Sequence, residues 1–328
     1  MYQLNVTAKT WPTVGSFRTA HGSVDEIHVV NVSIKAGNGI GRGECRPYPR
    51  YNETSASVVK QIESIRPHIE SGLNLANLQS LLPAGAARNA VDCALWDLKA
   101  KLSKKPIWEI LGVPTPRPRI TAYTLSIDSP AKMAKAALAA KKYPILKLKI
   151  NGLDGLPACL AVLNARPEVQ LIIDANESLT ARELVIMRQK LAHLPVLLIE
   201  QPLNAEAFDQ IENLPDALPI LCADESLHTR YDLSALWQAG YRAVNVKLDK
   251  CGGLSEALHL MKTARSMGFV IMSGCMVSTS LAMAPMMVLE SFADYIDLDG
   301  PLLLAKDIKN GLKYSSEFIY PPQNTLWG

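Results

Sequence analysis

Residues 145–150 read I-L-K-L-K-I, a short apolar run that is interrupted by two lysines. Its length and its β-branched ends are typical of a buried strand. Side chains alternate along a strand, so Lys147 and Lys149 share one face, with their Cβ atoms about 7 Å apart. Two ammonium groups held this close lower each other's pKa, which can turn a lysine into a base near neutral pH. An edge strand with two solvated lysines is the alternative, and the surroundings must decide between the two.

The segment P-T-P-R-P-R (114–119) marks a change of pattern along the chain. Beyond it, short apolar runs alternate with amphipathic helical segments, which is typical of a closed parallel barrel. Eight runs predict an α/β fold with a (β/α) barrel over residues 116–300, and residues 301–328 would return to the first domain. The predicted strands are Ile120–Ser126, Ile145–Ile150, Val169–Asp174, Val196–Glu200, Ile220–Ala223, Ala243–Lys247, Phe269–Ser273 and Tyr295–Asp299.

Residues 1–115 predict a smaller α+β domain. The segment G-N-G-I-G-R-G (37–43) is glycine-rich like a dinucleotide-binding loop, but no helix follows it, so it predicts a hairpin turn. Polar, turn-rich residues predict surface loops at 15–22 and 47–52. We expect strands at Tyr2–Ala8 and Ile27–Ile34, and helices at Ala56–Ile69 and Ala86–Lys101.

Composition excludes several classes of protein. A formal net charge of +3 without a basic run gives no indication of a nucleic-acid partner. The six cysteines have no ligand-like spacing and are interpreted as reduced thiols of a cytoplasmic protein, and the N-terminus lacks the features of a signal peptide. Residues 268–289 carry no charge, but their serines, threonine and proline favour a buried strand, a turn and a buried helix over a membrane span.

One polar residue ends each predicted strand, and successive members of this series are 23 to 26 residues apart. Because that step is close to one βα unit, all eight side chains should lie around the carboxyl-terminal rim of the barrel, where barrel enzymes have their active sites. The series is Thr124, Lys149, Asp174, Glu200, Asp224, Lys247, Ser273 and Asp297.

Three consecutive members of the series are the carboxylates Asp174, Glu200 and Asp224. Converging carboxylates repel each other unless a cation lies between them, and all-oxygen ligation suits Mg²⁺, with Mn²⁺ as a substitute. Helix capping or pairing with nearby bases is the alternative for these acids. Lys149 precedes them by one strand and Lys247 follows by one strand. This arrangement suits chemistry at a single carbon that is approached from two faces.

Five motifs together resemble those of the enolase superfamily, and within it the muconate-lactonizing subgroup. They are K-L-K (147–149), D-A-N (174–176), E-Q-P (200–202), A-D-E-S (223–226) and N-V-K-L-D-K-C-G-G (245–253). The resemblance covers essentially the whole chain. It implies a modified (β/α)7β barrel with an N-terminal α+β capping domain. It also implies Mg²⁺-assisted removal of a proton α to a carboxylate, through an enediolate that the metal stabilises.

The same resemblance implies roles for individual residues. Lys149 and Lys247 would be the two acid/base groups, and Lys147 would lower the pKa of its neighbour. Removal of the proton by one lysine and its return by the other inverts the carbon, which is a 1,1-proton transfer. The implied Mg²⁺ ligands are Asp174, Glu200 and Asp224.

The segment Asp297-Leu298-Asp299 at the eighth strand narrows the resemblance to dipeptide epimerases. In that group a D-x-D holds the α-ammonium of the substrate. The alternative interpretation is that the D-x-D caps the following segment. Segments 43–51, 83–98 and 223–230 resemble the L-Ala-D/L-Glu epimerases of murein-peptide recycling. By this resemblance Thr124 and the Cys275-Met276 backbone would line the dipeptide pocket.

The chain departs from this group in the first capping loop. There the group has an arginine that binds the glutamate side chain, whereas this chain has His21 beside Gly22, and Arg18 three residues earlier. Either His21 or Arg18 would meet an acidic side chain, unless both are solvated.

The sequence therefore predicts a Mg²⁺-dependent dipeptide epimerase acting on L-Ala-L-Glu and its D-Glu epimer. Alternatives on the same scaffold are an o-succinylbenzoate synthase and an N-acylamino-acid racemase. A barrel aldolase that forms a Schiff base on Lys149 or Lys247 is a third, and a non-catalytic binding protein a fourth. The expected partner is a small dipeptide, without a nucleic acid or a membrane, and a homo-oligomer is left open.

Overall fold

The computed structural model describes residues 2–212, 214 and 218–328. Its N-terminal part contains a three-stranded antiparallel sheet in the order β1-β2-β3. The strands are β1 (Gln3–Thr19), β2 (Gly22–Ala36) and β3 (Gly39–Cys45).

The hairpin of β1 and β2 is much longer than the sequence predicts. The expected loop at residues 15–22 was wrong, because Phe17 pairs with Val24 and Arg18 with Ser23 in the continuing ladder. Most side chains at this end are exposed on both faces, so no apolar alternation marks the strands there. The register shifts between Pro12 and Phe17, which separates this outer end of the hairpin from its base.

Five helices complete the N-terminal part, and the longest packs across the sheet. Strand β3 approaches this helix so closely that a Cβ at Gly41 would lie 2.0 Å from the Ala94 carbonyl oxygen. The glycines of residues 37–43 therefore lie in the hairpin turn that the sequence predicted, and they also permit the close packing of β3 on the helix. The helices are α1 (Ser55–Ser64), α2 (Arg66–Glu70), α3 (Leu75–Leu81), α4 (Ala86–Ser103) and α5 (Ile107–Leu111).

A short strand, β4 (Arg119–Ile120), leads into an eight-stranded parallel sheet whose strands follow each other in chain order. The sheet closes between its first and last strands, where the Ala122 amide donates to the Ile296 carbonyl at 2.8 Å. The strands are β5 (Tyr123–Leu125), β6 (Ile145–Lys149), β7 (Gln170–Asp174), β8 (Val196–Glu200), β9 (Ile220–Ala223), β10 (Ala243–Val246), β11 (Val270–Gly274) and β12 (Tyr295–Asp297).

Helices follow the strands of the barrel and cover its outside, and fully buried apolar side chains fill the space between the two layers. Inside the barrel, a smaller layer that includes Ile172, Leu198 and Met272 forms the floor beneath the carboxyl ends of the strands. The helices are α6 (Pro130–Ala139), α7 (Leu156–Ala165), α8 (Ala181–Leu191), α9 (Phe208–Glu212), α10 (Leu233–Ala239), α11 (Leu248–Cys251), α12 (Leu254–Ser266) and α13 (Ser280–Met287).

The uncharged residues 268–289 form β11 and the buried helix α13, as predicted. None of the helices in the described ranges has both the length and the apolar character that crossing a bilayer requires.

The C-terminal residues run from the barrel to the N-terminal part. Strands β13 (Tyr314–Ser315) and β14 (Phe318–Ile319) join β4 in a small antiparallel sheet. Beyond them, the Trp327 indole donates to the Arg42 carbonyl at 3.0 Å, and the Gly328 amide donates to Asp97 at 2.8 Å.

The packing of β3 on α4 predicts the effect of adding one methyl group. In Gly43→Ala the new Cβ would lie 2.1 Å from the Ala90 carbonyl oxygen, so strand and helix must separate. We expect the free energy of unfolding in urea to fall by about 2 kcal/mol or more. Gly39→Ala is the matched control, because its Cβ would meet only the ends of the Leu98 and Leu102 side chains. Equal losses in the two variants would contradict this account.

Candidate active site

A cavity of about 880 Å³ lies at the carboxyl ends of the barrel strands, beneath the N-terminal part. The described residues around it include most of those that the sequence singled out. Arg18, Asp174 and Glu200 do not line it, and the latter two carboxylates lie fully buried just below its floor. The predicted residues that line it are His21, Thr124, Lys147, Lys149, Asp224, Lys247, Cys275, Met276, Asp297 and Asp299.

The three carboxylates of the strand-end series stand on adjacent strands. Asp174 is paired in register with Glu200 across β7 and β8, and Asp224 follows directly after β9. All three are at most 1% exposed. The Asn245 amide donates to Glu200 Oε1 at 2.7 Å and holds one of its oxygens. The barrel therefore brings three buried acids together, as the spacing predicted.

Two lysines lie on opposite sides of these acids. Lys149 Nζ is 2.6 Å from Asp174 Oδ2, and Lys247 Nζ is 2.6 Å from Asp224 Oδ2. Since β6 precedes the acid-bearing strands and β10 follows them, the two ammonium groups face the cavity from its two flanks. Lys149 and its strand neighbour Lys147 are both at least nine-tenths buried, so an edge strand with solvated lysines is excluded.

Lys147 occupies the centre of the carboxylates. Its Nζ lies 2.7 Å from Glu200 Oε2, 2.7 Å from Asp297 Oδ2 and 3.1 Å from Asp174 Oδ2. Burial by itself would lower the pKa of Lys147, but these surrounding carboxylates outweigh burial and raise the pKa well above its usual range. The sequence predicted that the two lysines lower each other's pKa, and for Lys147 this prediction was wrong. The acids that cause the shift come from three other strands.

The same balance of burial and charge shifts the pKa values of Glu200 and Asp174 in opposite directions. Burial raises the pKa of Glu200 to about 8, with the Asp174 charge acting in the same direction. For Asp174, burial is outweighed by Lys149 and Lys147, which lower its pKa to about 2. The pKa of Lys247 is raised well above its usual range because Asp224 outweighs the effect of burial. The charges of the cluster are thus stabilised by one another rather than by solvent.

Sequence reasoning missed two members of this cluster. Lys250 is 2% exposed, and its Nζ contacts Asp224 Oδ1 at 2.6 Å as well as the Asp224 carbonyl. It lies one turn after Lys247 on the short helix α11, a spacing that could have indicated it. Asn245 lies two residues before Lys247 on β10, and strand alternation could have placed both side chains on the same face.

The two acids of the D-x-D differ in position and in partners. Asp297 ends β12, whereas Asp299 lies beyond the strand, so the expectation that both belong to it was wrong. Asp299 accepts the Thr124 amide at 2.6 Å. Burial, together with the Asp297 charge, raises the pKa of Asp299 to about 7. Asp297 Oδ2 accepts a hydrogen bond from Lys147. The other oxygen, Oδ1, is buried and has no hydrogen-bond partner among the described residues.

The long hairpin brings His21, but not Arg18, to the cavity. The Arg18 guanidinium pairs with Asp128 at 2.7 Å and donates to the Ile127 carbonyl at 2.9 Å, outside the cavity. His21 Nε2 lies 3.6 Å from Glu225 Oε1, and this contact raises the histidine pKa.

The donor set at the floor of the cavity fits a divalent cation with oxygen ligands. Asp174, Glu200 and Asp224 offer carboxylate oxygens from three neighbouring strands. Glu200 Oε2 is buried and accepts no hydrogen bond from the described residues, since its contact with Lys147 does not have hydrogen-bonding geometry. Hard oxygen ligands with this negative charge are those that Mg²⁺ prefers.

Comparison with known proteins agrees with this architecture. Residues 1–112 match the mandelate racemase / muconate lactonizing enzyme N-terminal domain, and residues 130–324 match the enolase C-terminal domain-like family. The L-Ala-D/L-Glu epimerase of Escherichia coli (strain K12) is 44% identical over 318 residues, which cover 96% of this chain and 98% of that protein. An N-acetyl-D-glutamate racemase from a Pseudoalteromonas species is 47% identical over 290 residues, covering 88% and 91%.

Solved structures give the same result. An enolase family member from Agrobacterium tumefaciens, with homology to dipeptide epimerases and with bound sodium and L-Ala-L-Glu, has a TM-score of 0.96 at 41% identity over all of both chains. The dipeptide epimerase from Enterococcus faecalis, complexed with Mg and L-Leu-L-Tyr, has a TM-score of 0.91 at 27% identity over 98% and 97% of the chains. The predicted barrel with its capping domain is thus confirmed, and the chain belongs to the mandelate racemase / muconate lactonizing enzyme family of the enolase superfamily.

Proposed function

We propose that this chain is an isomerase that inverts the α-carbon of the C-terminal residue of a dipeptide, with L-Ala-L-Glu and L-Ala-D-Glu as its substrates. The observation that carries the proposal is the pair Lys149 and Lys247 on opposite flanks of one buried carboxylate cluster. One base on each face of a carbon is what inversion by proton transfer requires. The activity of the Escherichia coli relative and the L-Ala-L-Glu bound in the Agrobacterium tumefaciens structure support this choice of substrate.

Asp174, Glu200 and Asp224 would hold Mg²⁺, or Mn²⁺ in its place. When bound there, the ion would act as a Lewis acid toward the substrate carboxylate as negative charge develops on it. The bound ion in the Enterococcus faecalis dipeptide epimerase complex supports this assignment. Two of these carboxylates, Asp224 and Glu200, also raise the pKa of Lys247. Once they serve as ligands they favour its ammonium form less, so the lysine can act as a base.

The two lysines would carry the proton between the two faces of the substrate α-carbon. A neutral Lys149 amine takes the α-proton from one face, and the electron pair of the broken C–H bond moves into the adjacent carboxylate. The Lys247 ammonium returns a proton to the same carbon from the opposite face, which inverts it. The reverse reaction exchanges the roles of the two lysines. Exclusion of water by the N-terminal part strengthens each of these charge interactions.

The D-x-D would hold the α-ammonium of the N-terminal residue. Asp297 has one buried oxygen without a hydrogen-bond partner in the described chain, and Asp299 lies beside it. A cation placed between them would lower the pKa of Asp299, since it is burial and the Asp297 charge that raise it. Thr124 would orient Asp299 through its amide, and the Cys275-Met276 segment lines the adjacent wall.

The cellular role that we propose is recycling of murein peptides in the cytoplasm. An epimerase for the Ala-Glu unit fits this role, and the free cysteines found in the structure suit a reducing compartment.

Isotope exchange tests the two-base assignment. Incubated with L-Ala-L-Glu and Mg²⁺ in D₂O, the wild-type chain should exchange the Glu α-proton and form the epimer. Lys149→Ala and Lys247→Ala should each lose epimerisation by about 100-fold to 10,000-fold, the usual contribution of a positioned acid or base. Each variant should still exchange the α-proton of one epimer, because one base remains. NMR of the α-position measures both rates.

The matched control for these variants is Lys60→Ala on the exposed face of α1, which should keep full activity. EDTA should abolish exchange, and Mg²⁺ or Mn²⁺ should restore it. Activity that survives EDTA, together with borohydride trapping of a carbonyl substrate on Lys149 or Lys247, would instead support the aldolase alternative.

A second candidate is an N-acylglutamate racemase on the same scaffold. The 47% identity to an N-acetyl-D-glutamate racemase favours it. So does the contact of Asp297 with Lys147, because an acid that is already paired has less need of a substrate ammonium. Both candidates share the proton transfer and differ only in the acyl group on the amino acid.

The D-x-D separates the two candidates. If it binds the α-ammonium, Asp299→Asn should lower kcat/KM for L-Ala-L-Glu about 100-fold and leave N-acetyl-L-glutamate almost unchanged, because only the dipeptide carries the charge. Steady-state rates with both substrates measure the ratio. Equal losses on the two substrates, or a wild-type preference for N-acetylglutamate, would favour the racemase.

A further inference from the structure

Among the residues that the structure describes, seven cationic or titratable basic side chains line the cavity, and six of them have partners that account for their charge. The three lysines pair with carboxylates of the floor cluster. Arg50 makes two hydrogen bonds of 2.8 Å to Glu177, and His21 faces Glu225. The seven are His21, His28, Arg46, Arg50, Lys147, Lys149 and Lys247, of which His28 contacts Thr10 and Glu26.

Arg46 is the exception. Within the described ranges, no carboxylate oxygen lies within 4.0 Å of its guanidinium. Its Nη1 donates to the Val277 carbonyl at 3.2 Å, and its Cζ lies 5.7 Å from the centre of the Tyr48 ring. A carbonyl and an aromatic face leave most of the five guanidinium N–H groups available. Arg46 therefore presents an uncompensated positive charge to the cavity.

The backbone of Arg46 is fixed by the barrel. Its amide donates to Asp249 Oδ1 at 3.1 Å, and the same oxygen accepts the Asn89 amide at 2.8 Å. Asp249 lies two residues after Lys247, whereas Val277 follows β11. Arg46 thus stands over the wall between the ends of β10 and β11, on the flank of the cavity that belongs to Lys247.

An unpaired cation in this place favours an anionic ligand. Burial lowers the pKa of Arg46, with only a partial opposing effect of Tyr48 and Asp249, which shows that its charge is poorly solvated. Arginine nevertheless stays protonated in proteins, and its planar fork matches a carboxylate through two parallel hydrogen bonds. A carboxylate from the substrate would replace the lost solvation.

We propose that Arg46 binds the side-chain carboxylate of the residue whose α-carbon is inverted, and so restricts the enzyme to acidic residues. This inference rests on the proposed function and holds for either acyl group. It assigns specificity to the segment after β3 instead of the first capping loop. In that loop Arg18 is turned toward Asp128 and His21 toward Glu225, so neither is free to pair with a substrate carboxylate.

The test compares two substrates that differ in one charge, L-Ala-L-Glu and L-Ala-L-Gln. The wild-type chain should prefer the Glu peptide. Arg46→Gln should lose about 100-fold in kcat/KM on the Glu peptide and change little on the Gln peptide, so that the preference collapses. Arg46→Lys should recover part of the preference, because it keeps the charge but not the fork. Arg182→Gln, on an exposed position of α8, is the matched control and should behave as wild type.

The outcomes distinguish the inference from the function on which it rests. A wild-type chain that is inactive on dipeptides and on N-acylated glutamate overturns both. Equal losses of Arg46→Gln on the two peptides, with an unchanged unfolding midpoint, show a purely structural role and overturn the inference alone. A preference that survives in Arg46→Gln but collapses in His21→Gln would assign the recognition to His21 and overturn it as well.

Discussion

Mutual neutralisation of buried charges at the barrel mouth is the interaction on which the rest of the site depends. Four ammonium groups, Lys147, Lys149, Lys247 and Lys250, contact the carboxylates of Asp174, Glu200, Asp224 and Asp297 at 2.6 to 3.1 Å. Isolated, each of these groups would be too costly to bury. Together they let charged groups remain where water is largely absent, because contacts within the cluster offset the cost of desolvation.

The cluster also explains why the chemistry needs a closed barrel. Lys147 on β6 contacts acids from β7, β8 and β12, so its neighbours come from both sides of the seam between the first and last strands. In an open sheet Asp297 would lie at the far edge from Lys147. Closure therefore creates the site, and the Ala122 amide that bonds Ile296 at the seam belongs to the scaffold of the active centre.

Much of the fold and of the site could be predicted because both follow from local pattern. The spacing of strand ends located Lys149, Asp174, Glu200 and Lys247, because the position of each residue on the rim depends only on its own βα unit. The pKa of Lys147 could not be predicted, because it depends on acids up to 150 residues away that only closure brings near. The outer hairpin was missed because strands exposed on both faces carry no apolar alternation. For Arg18, the decisive partner, Asp128, lies 110 residues along the chain.

The close packing of β3 on α4 fixes one half of the cap more firmly than the other. Strand β3 is locked against the helix at Gly41 and Gly43, and Glu44 accepts the Thr279 amide of the barrel at 2.9 Å. Arg46 follows directly and therefore belongs to a rigid wall. His21 lies at the tip of an exposed hairpin that is separated from its base by a register shift. The two halves of the cap thus differ in how they are held: Arg46 follows a strand that is packed against a helix and bonded to the barrel, whereas His21 stands on a hairpin whose outer end is exposed.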